Sequence, residues 1–209
     1  VAADTNIGAA PGSAIADQIT LSGWTLQTTS SFTLNTNRGI TLSTGGGTIN
    51  TDADTTLTYG GVIDGSNAFT KSGDGILLIS GTQTYTGATT VSAGTLQLGA
   101  SDLIANSSTM AVNGILDLND YNETISDLSG SGSVDLGSGT LTTIQYNSTE
   151  YSGGITGTGT LKKQGGGILT LSGTTDFTGG IIIQVGTIKL GANNVIADTN
   201  PITFADSDI

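Results

Sequence analysis

The chain repeats itself at a spacing of 92 residues, and this repeat restricts the fold more than any other feature of the sequence. Residues 59–112 align without a gap on residues 151–204. Glycines coincide at six positions of the two copies, which are Gly73, Gly75, Gly81, Gly87, Gly94 and Gly99 on Gly165, Gly167, Gly173, Gly179, Gly186 and Gly191. Such self-similarity is typical of proteins in which each unit packs on the next, so the sequence predicts an elongated repeat architecture.

A shorter period of about 19 residues runs inside each copy. It is marked by pairs of aliphatic residues that one residue separates: Leu77 and Ile79, Leu96 and Leu98, Leu116 and Leu118, Val134 and Leu136, Leu169 and Leu171, and Ile188 and Leu190. Similar short strands are predicted in the N-terminal third, at residues 19–21, 24–26, 32–34, 40–42 and 57–59. Alternation in such strands places the aliphatic residues on one face and mainly Thr or Gln on the other.

The turn residues favour a coil over a series of hairpins. Hairpins would require two-residue Asn-Gly or Asp-Gly turns between paired strands, whereas single or paired glycines follow these strands. Strands that return every 19 residues would stack at the 4.8 Å spacing of a sheet, with glycines at corners of positive φ. We therefore predict an all-β fold, a right-handed single-stranded parallel β-helix of roughly ten coils of about 20 residues, about 50 Å long.

Composition agrees with a long, thin core. Hydrophobic residues make up 35% of the chain, and 33 residues are glycine. Disorder is the competing interpretation of a chain rich in Gly, Ser and Thr, but the regular alternation of the aliphatic residues argues against it. The formal charge of −12 disfavours binding to nucleic acid or to an anionic membrane. The absence of Cys and His excludes disulfides, thiol nucleophiles, Ser-His-Asp chemistry and the common zinc sites.

Two segments, residues 69–100 and 161–192, resemble the autotransporter passenger-associated β-strand repeat. The matching positions of the first segment are Lys71, Gly73, Gly75, Leu77, Ile79, Gly81, Tyr85, Gly87, Thr89, Val91, Gly94 and Leu96. The second segment departs from the pattern at Phe177, in place of Tyr, and at Ile181, in place of Thr. Residues 1–58 look like the linker coils found between such repeats.

This resemblance implies a right-handed β-helix in a large bacterial protein that is extracellular or displayed at the cell surface in association with the outer membrane. We expect residues 1–209 to be one continuous segment of a longer protein, with linker-type coils at 1–58, one repeat copy at 59–150 and a second at 151–209. Several proteins with these repeats are adhesins or stalks, and the repeat itself serves as their scaffold.

Carboxylates are the candidate catalytic and calcium-binding groups. Asp52 with Asp54, which alternation would place on one face at about 7 Å, and Asp117 with Asp120 and Glu123 are the pairs that a carbohydrate-active β-helix could use. Asp117, Asn119 and Asp120 form one oxygen-rich cluster that could suit calcium, and Asp206 with Asp208 form another. Ordinary solvent-facing side chains explain these acids equally well, so we expect no catalytic residue, no cofactor and no metal site.

The remaining polar and aromatic features receive structural interpretations. We expect Lys71 and the Lys162–Lys163 pair to be solvated at a coil edge, and Trp24 to lie in the core or at a coil end. Asn-x-Ser/Thr sequons occur at Asn106, Asn122 and Asn147, and in a chain rich in Thr and Asn they are expected by chance.

The leading functional prediction is a structural scaffold or stalk of an adhesin-like surface protein, without enzymatic activity. One alternative is a subunit of a head-to-tail extracellular filament, since exposed strand edges at both ends could stack. Another is a carbohydrate-active β-helix. Expected partners are a second copy or a surface ligand, with no nucleic acid and no direct insertion of this segment into a membrane.

Overall fold

The computed structural model describes residues 1–106 and 108–205. These residues form one short 3-10 helix, Asp4–Ile7, and many short strands that pair in parallel. The strands are β1 (Ile15–Leu21), β2 (Trp24–Thr28), β3 (Phe32–Leu34), β4 (Arg38–Leu42), β5 (Gly47–Thr51), β6 (Thr56–Tyr59), β7 (Ile63–Gly65), β8 (Phe69–Ser72), β9 (Ile76–Ile79), β10 (Thr89–Val91), β11 (Thr95–Leu98), β12 (Thr109–Val112), β13 (Ile115–Asp117), β14 (Glu123–Ser129), β15 (Ser133–Asp135), β16 (Thr140–Ile144), β17 (Thr149–Tyr151), β18 (Gly154–Gly157), β19 (Thr160–Gln164), β20 (Ile168–Leu171), β21 (Thr175–Phe177), β22 (Ile181–Ile183), β23 (Thr187–Leu190) and β24 (Ile202–Phe204).

The strands stack into a solenoid. The largest sheet has ten strands in the order β2-β5-β8-β10-β12-β14-β16-β19-β22-β24, and a second has eight in the order β21-β18-β15-β13-β11-β9-β6-β3. Three-stranded sheets β1-β4-β7 and β17-β20-β23 complete the wall. Successive strands of a sheet belong to successive coils, which gives about nine turns of about 20 residues. The predicted all-β parallel β-helix is therefore confirmed, and the right-handed coil is the one expected of parallel strands joined by a crossover.

The core is a set of rows that run along the axis. In the eight-stranded sheet one inward row has direct register from coil to coil, and its members are Leu57, Leu77, Leu96, Leu116, Val134 and Ile155. All six side chains are fully buried. Burial of each such side chain contributes about 1.5–3 kcal/mol, and a row repeats that gain at every coil. This row contains the first member of four of the six aliphatic pairs on which the sequence prediction rested, and the two pairs of the second copy lie in the sheet β17-β20-β23.

The coincident glycines serve two purposes, of which the sequence predicted one. Gly73 and its counterpart Gly165 have φ of +70° and +75°, as expected for corners. Gly87 and Gly179 have no such φ, but a Cβ built on either would collide with backbone of the preceding coil. The second group of glycines is therefore required by close stacking of the coils rather than by the turn conformation.

The N-terminal residues lie across the first coil. The Arg38 side chain, fully buried, donates through Nε to Asp4 Oδ1 at 2.8 Å. Trp24 lies in β2, the outermost strand of the ten-stranded sheet, and its side chain is 71% exposed. It is therefore a coil-end residue, and the alternative that it belongs to the core is wrong.

Candidate functional site

The Asp52 and Asp54 pair does not form the predicted one-faced carboxylate arrangement. Strand β5 ends at Thr51, so both acids lie in the following corner, where strand alternation no longer applies. Asp54 has a φ of +60°, and Asp52 Oδ1 accepts a hydrogen bond of 2.7 Å from Gln27 Nε2 of the preceding coil. In this geometry Asp52 links two coils.

Asp117, Asp120 and Glu123 are also used separately. Asp117 ends β13 and accepts from Gln97 Nε2 at 2.7 Å and from the backbone N–H of Asn119 at 2.8 Å. Asp120 is exposed in the next corner and accepts from the backbone N–H of Ser138 at 2.8 Å. Glu123 is buried at the start of β14. Within the described residues no three acids, histidines or cysteines gather as metal ligands, and Asp206 and Asp208 lie outside the described residues.

Glu123 is the most perturbed carboxyl group, and its side chain is 1% exposed. One carboxylate oxygen accepts from the backbone N–H groups of Leu103 and Ile104 at 2.9 and 3.3 Å, and the other from that of Thr124 at 3.0 Å. Burial raises the pKa of Glu123 to about 7, against the opposing effect of these three donors. Glu123 thus ties the strand-free segment around Leu103 to the next coil, a role that its position in the sequence did not reveal.

The predicted solvent exposure of Lys71 and Lys163 is wrong. Both side chains are fully buried, because each lies on an inward row of the ten-stranded sheet. Burial lowers the pKa of Lys71 to about 8 and also lowers the pKa of Lys163. Lys162, one residue away, is on the outer face and half-buried, as a coil-edge lysine should be. The sequence did carry a signal, since strand alternation places Lys71 in phase with Phe69.

Buried hydroxyl groups form a second polar feature of the interior. Tyr85 Oη and Thr89 Oγ1 are 2.7 Å apart, and Thr89 Oγ1 is 2.8 Å from Ser108 Oγ, which donates to the Gly87 carbonyl at 2.8 Å. Tyr85 also packs on the Phe69 ring at a centroid distance of 5.6 Å. These bonds connect two successive coils inside the core.

The second copy lacks this network. At a spacing of 92 residues, Tyr85, Thr89 and Ser108 correspond to Phe177, Ile181 and Asn200. Both departures from the repeat pattern therefore remove hydroxyl groups that bond to each other in the first copy. Asn200 is 7% exposed, and neither polar atom of its side chain has a hydrogen-bond partner. At the third position the second copy has a polar side chain, although apolar residues stand at the other two positions.

Two of the three sequon asparagines are engaged between coils. The side-chain oxygen of Asn122 accepts from the backbone N–H of Thr140 at 2.8 Å, and Asn147 Nδ2 donates to Asp127 Oδ2 at 2.6 Å. Asn106 is exposed. The amides of Asn122 and Asn147 therefore have structural partners, and the interpretation of the sequons as chance matches stays a prediction.

The outer face of the ten-stranded sheet is polar and nearly uncharged. Thr25, Thr48, Thr70 and Thr90 are in direct register on four successive strands. Among the described residues of this sheet, the charged side chains other than Lys162 are buried. The stacked threonines confirm the predicted outer row.

Comparison with known proteins agrees with this geometry. The family model described as passenger-associated-transport-repeat matches residues 69–98 and 161–190. The chain is also 39% identical over 183 residues to the adhesin BmaC autotransporter of Brucella suis biovar 1 (strain 1330). The chain belongs to the autotransporter passenger-repeat family. The match covers 79% of this chain and 5% of that relative's length.

No solved structure matches the chain. Among the residues that the structure describes, no helix is long and apolar enough to cross a membrane. The similarity to an autotransporter adhesin indicates a surface or secreted passenger with a structural role.

Proposed function

We propose that this segment is the scaffold of an adhesin-like passenger that is displayed from the outer membrane. The observation that carries the proposal is the continuous ten-stranded parallel sheet, in which every strand between β2 and β24 is bonded to strands on both sides. A solenoid of this kind holds a binding region at a fixed distance from its base, because its coils cannot move apart without breaking several backbone hydrogen bonds at once.

The interior supports a mechanical role. Aliphatic rows fill the centre, while buried polar groups such as Glu123 and Thr89 bond to backbone or hydroxyl groups of the neighbouring coil. Among the described residues few buried polar side-chain atoms lack partners, as expected of a well-packed interior. The name of the Brucella relative describes that protein as an adhesin, and we extend adhesin-like display to this chain.

The test is an in-register deletion in the full-length protein on its native cell. Removal of residues 59–150 joins Thr58 to Tyr151, which the repeat makes equivalent to Tyr59, so the β-helix should close without a mismatch. A scaffold predicts normal display and attachment to the target, with a passenger shortened by five coils, or about 24 Å. Loss of attachment by a folded, displayed deletion protein would contradict the proposal, and polysaccharide turnover by the intact segment would favour the carbohydrate-active alternative.

A further inference from the structure

Two buried lysines carry the same arrangement of backbone oxygens, 92 residues apart. Lys71 Nζ donates to the carbonyls of Ser72, Gly73 and Ala93 at 2.7, 2.8 and 3.2 Å. Lys163 Nζ donates to the equivalent carbonyls at 2.8, 2.6 and 3.1 Å, and these belong to Gln164, Gly165 and Val185. In each case two oxygens come from the lysine's own corner and the third from the corner of the next coil, 22 residues away.

Three acceptors match the chemistry of an ammonium group. A lysine Nζ has three N–H donors, so each donor has one carbonyl in the cage. Among the described residues, the ion pair within 4.0 Å joins Arg38 to Asp4, and neither buried lysine has a carboxylate at that distance. The positive charge is therefore compensated by oriented carbonyl dipoles, with Asp74 and Asp127 contributing from farther away.

The glycines of the motif build this cage. Gly73 and Gly165 have positive φ, and each contributes one of the oxygens. Gly186, in the next coil, has a φ of +84°, and a Cβ there would collide with the Gly165 carbonyl oxygen that Lys163 binds and would lie 2.6 Å from Lys163 Nζ. The lysine and the glycines of the repeat are thus parts of one site, which explains why they recur together in both copies.

The lysine stem passes through an apolar row. Lys71 is in register between Ile49 and Val91, so its methylene groups replace a core side chain while Nζ reaches the corner. Long cationic side chains commonly bury their stems in this way. A bound divalent ion would need six to eight oxygen ligands, often carboxylates, and the cage offers three carbonyls.

We propose that each of these corners is a cation-binding site for a primary ammonium group, occupied by the tethered Nζ of Lys71 or Lys163, and that the occupied site locks one coil to the next. Each site binds a group that carries one positive charge and donates N–H hydrogen bonds, and it does not depend on a free metal ion. This proposal concerns the cohesion of the rod and is independent of what the passenger binds.

The experiment is chemical rescue in the intact chain. Lys71→Ala should lower the melting temperature by about 5 °C or more, because three carbonyls lose their donors and a cavity forms. The matched control is Lys162→Ala, on the outer face, which should change it by less than about 1 °C. Ammonium or methylammonium chloride should restore a large part of the melting temperature that Lys71→Ala loses. Tetramethylammonium chloride at equal ionic strength has no N–H group and should not restore it.

Equal recovery with ammonium and tetramethylammonium would overturn the proposal, as would equal losses for Lys71→Ala and Lys162→Ala. If Lys71→Ala does not fold, the wild-type chain provides the second test by native amine acylation. Lys162 and Lys189 should react rapidly, and Lys71 and Lys163 should stay unmodified until the chain unfolds. Reaction of all four lysines at similar rates in the folded protein would refute the occupied cage.

Discussion

The hydroxyl network around Tyr85 allows a quantitative test by a double-mutant cycle. The variants are Tyr85→Phe, Thr89→Val and the two together, which reproduces the apolar character of Phe177 and Ile181 in the second copy. We expect the double variant to be much less destabilised than the sum of the single variants. The reason is that Tyr85 Oη bonds to Thr89 Oγ1, and each hydroxyl is fully enclosed by the core.

The magnitudes follow from which polar groups lose partners. Tyr85→Phe removes one bond and leaves Thr89 bonded to Ser108, so it should cost about 1 kcal/mol. Thr89→Val leaves the Tyr85 hydroxyl buried without a partner, which should cost about 2–3 kcal/mol. The double variant removes both groups, and Ser108 still donates to the Gly87 carbonyl, so its cost should be about 2 kcal/mol.

The resulting coupling energy of about 1–2 kcal/mol corresponds to about 2–8 °C in melting temperature for a chain of this size. Thermal unfolding followed by circular dichroism, with denaturant unfolding as a second probe, is sufficient to measure it. Phe177→Tyr is the reverse control in the second copy. Alone it should lower the stability of the chain, and its combination with Ile181→Thr should restore that stability. Additivity of the first pair within about 0.3 kcal/mol would refute the assignment of the bond.

Three further changes test other contacts. Gly61→Ala should destabilise the chain by about 2 kcal/mol in thermal unfolding, because its Cβ would lie 2.5 Å from the hydroxyl oxygen of buried Tyr59, while Gly166→Ala, with no atom within 4 Å, should be neutral. Asn200→Leu should raise stability by about 1 kcal/mol, since it removes a buried amide without partners, and a lowered melting temperature would contradict this. The folded-state pKa of Glu123 is raised from 4.5 to about 7. Its contribution to stability is therefore present below pH 4.5 and is lost as the pH rises through 7. Melting temperatures measured from about pH 4 to 8 should show this decline in the wild type and a flatter profile in Glu123→Gln.

The coil itself could be predicted because the signals for it are local and repeated. A glycine at the end of a strand and the spacing from Leu77 to Leu96 to Leu116 are sufficient to set the register, and the structure pairs these residues directly. Single substitutions do not obscure such a signal, because each coil repeats it. The boundaries at residues 58 and 150 remain a prediction, because the stacked sheet continues through both.

Whether an individual polar side chain is buried or exposed could be predicted less well, and for a physical reason. Alternation assigns Lys71 to the inner face, but the usual cost of a buried charge favours the outer face. The decision depends on three carbonyls, one of them at Ala93 in another coil, and their orientation is a property of the folded corner. The prediction for Asp52 and Asp54 was wrong for a related reason, since their placement on one face requires a strand through residue 54 and β5 ends at Thr51, three residues earlier.

The two faces of a single strand show how such a scaffold can carry different functions. Along one inner row of the eight-stranded sheet, Leu57, Leu77, Leu96 and Leu116 are identical, whereas their outward neighbours in the same order are Thr58, Leu78, Gln97 and Asp117. The inner row is restricted because each side chain packs on the one above and below at the strand spacing. The outer row has no such restriction, and it changes from hydroxyl to aliphatic, amide and carboxylate within four coils. Specific recognition by a passenger of this family is therefore expected to reside in outward rows and corners, which can change without loss of the internal rows that hold the rod together.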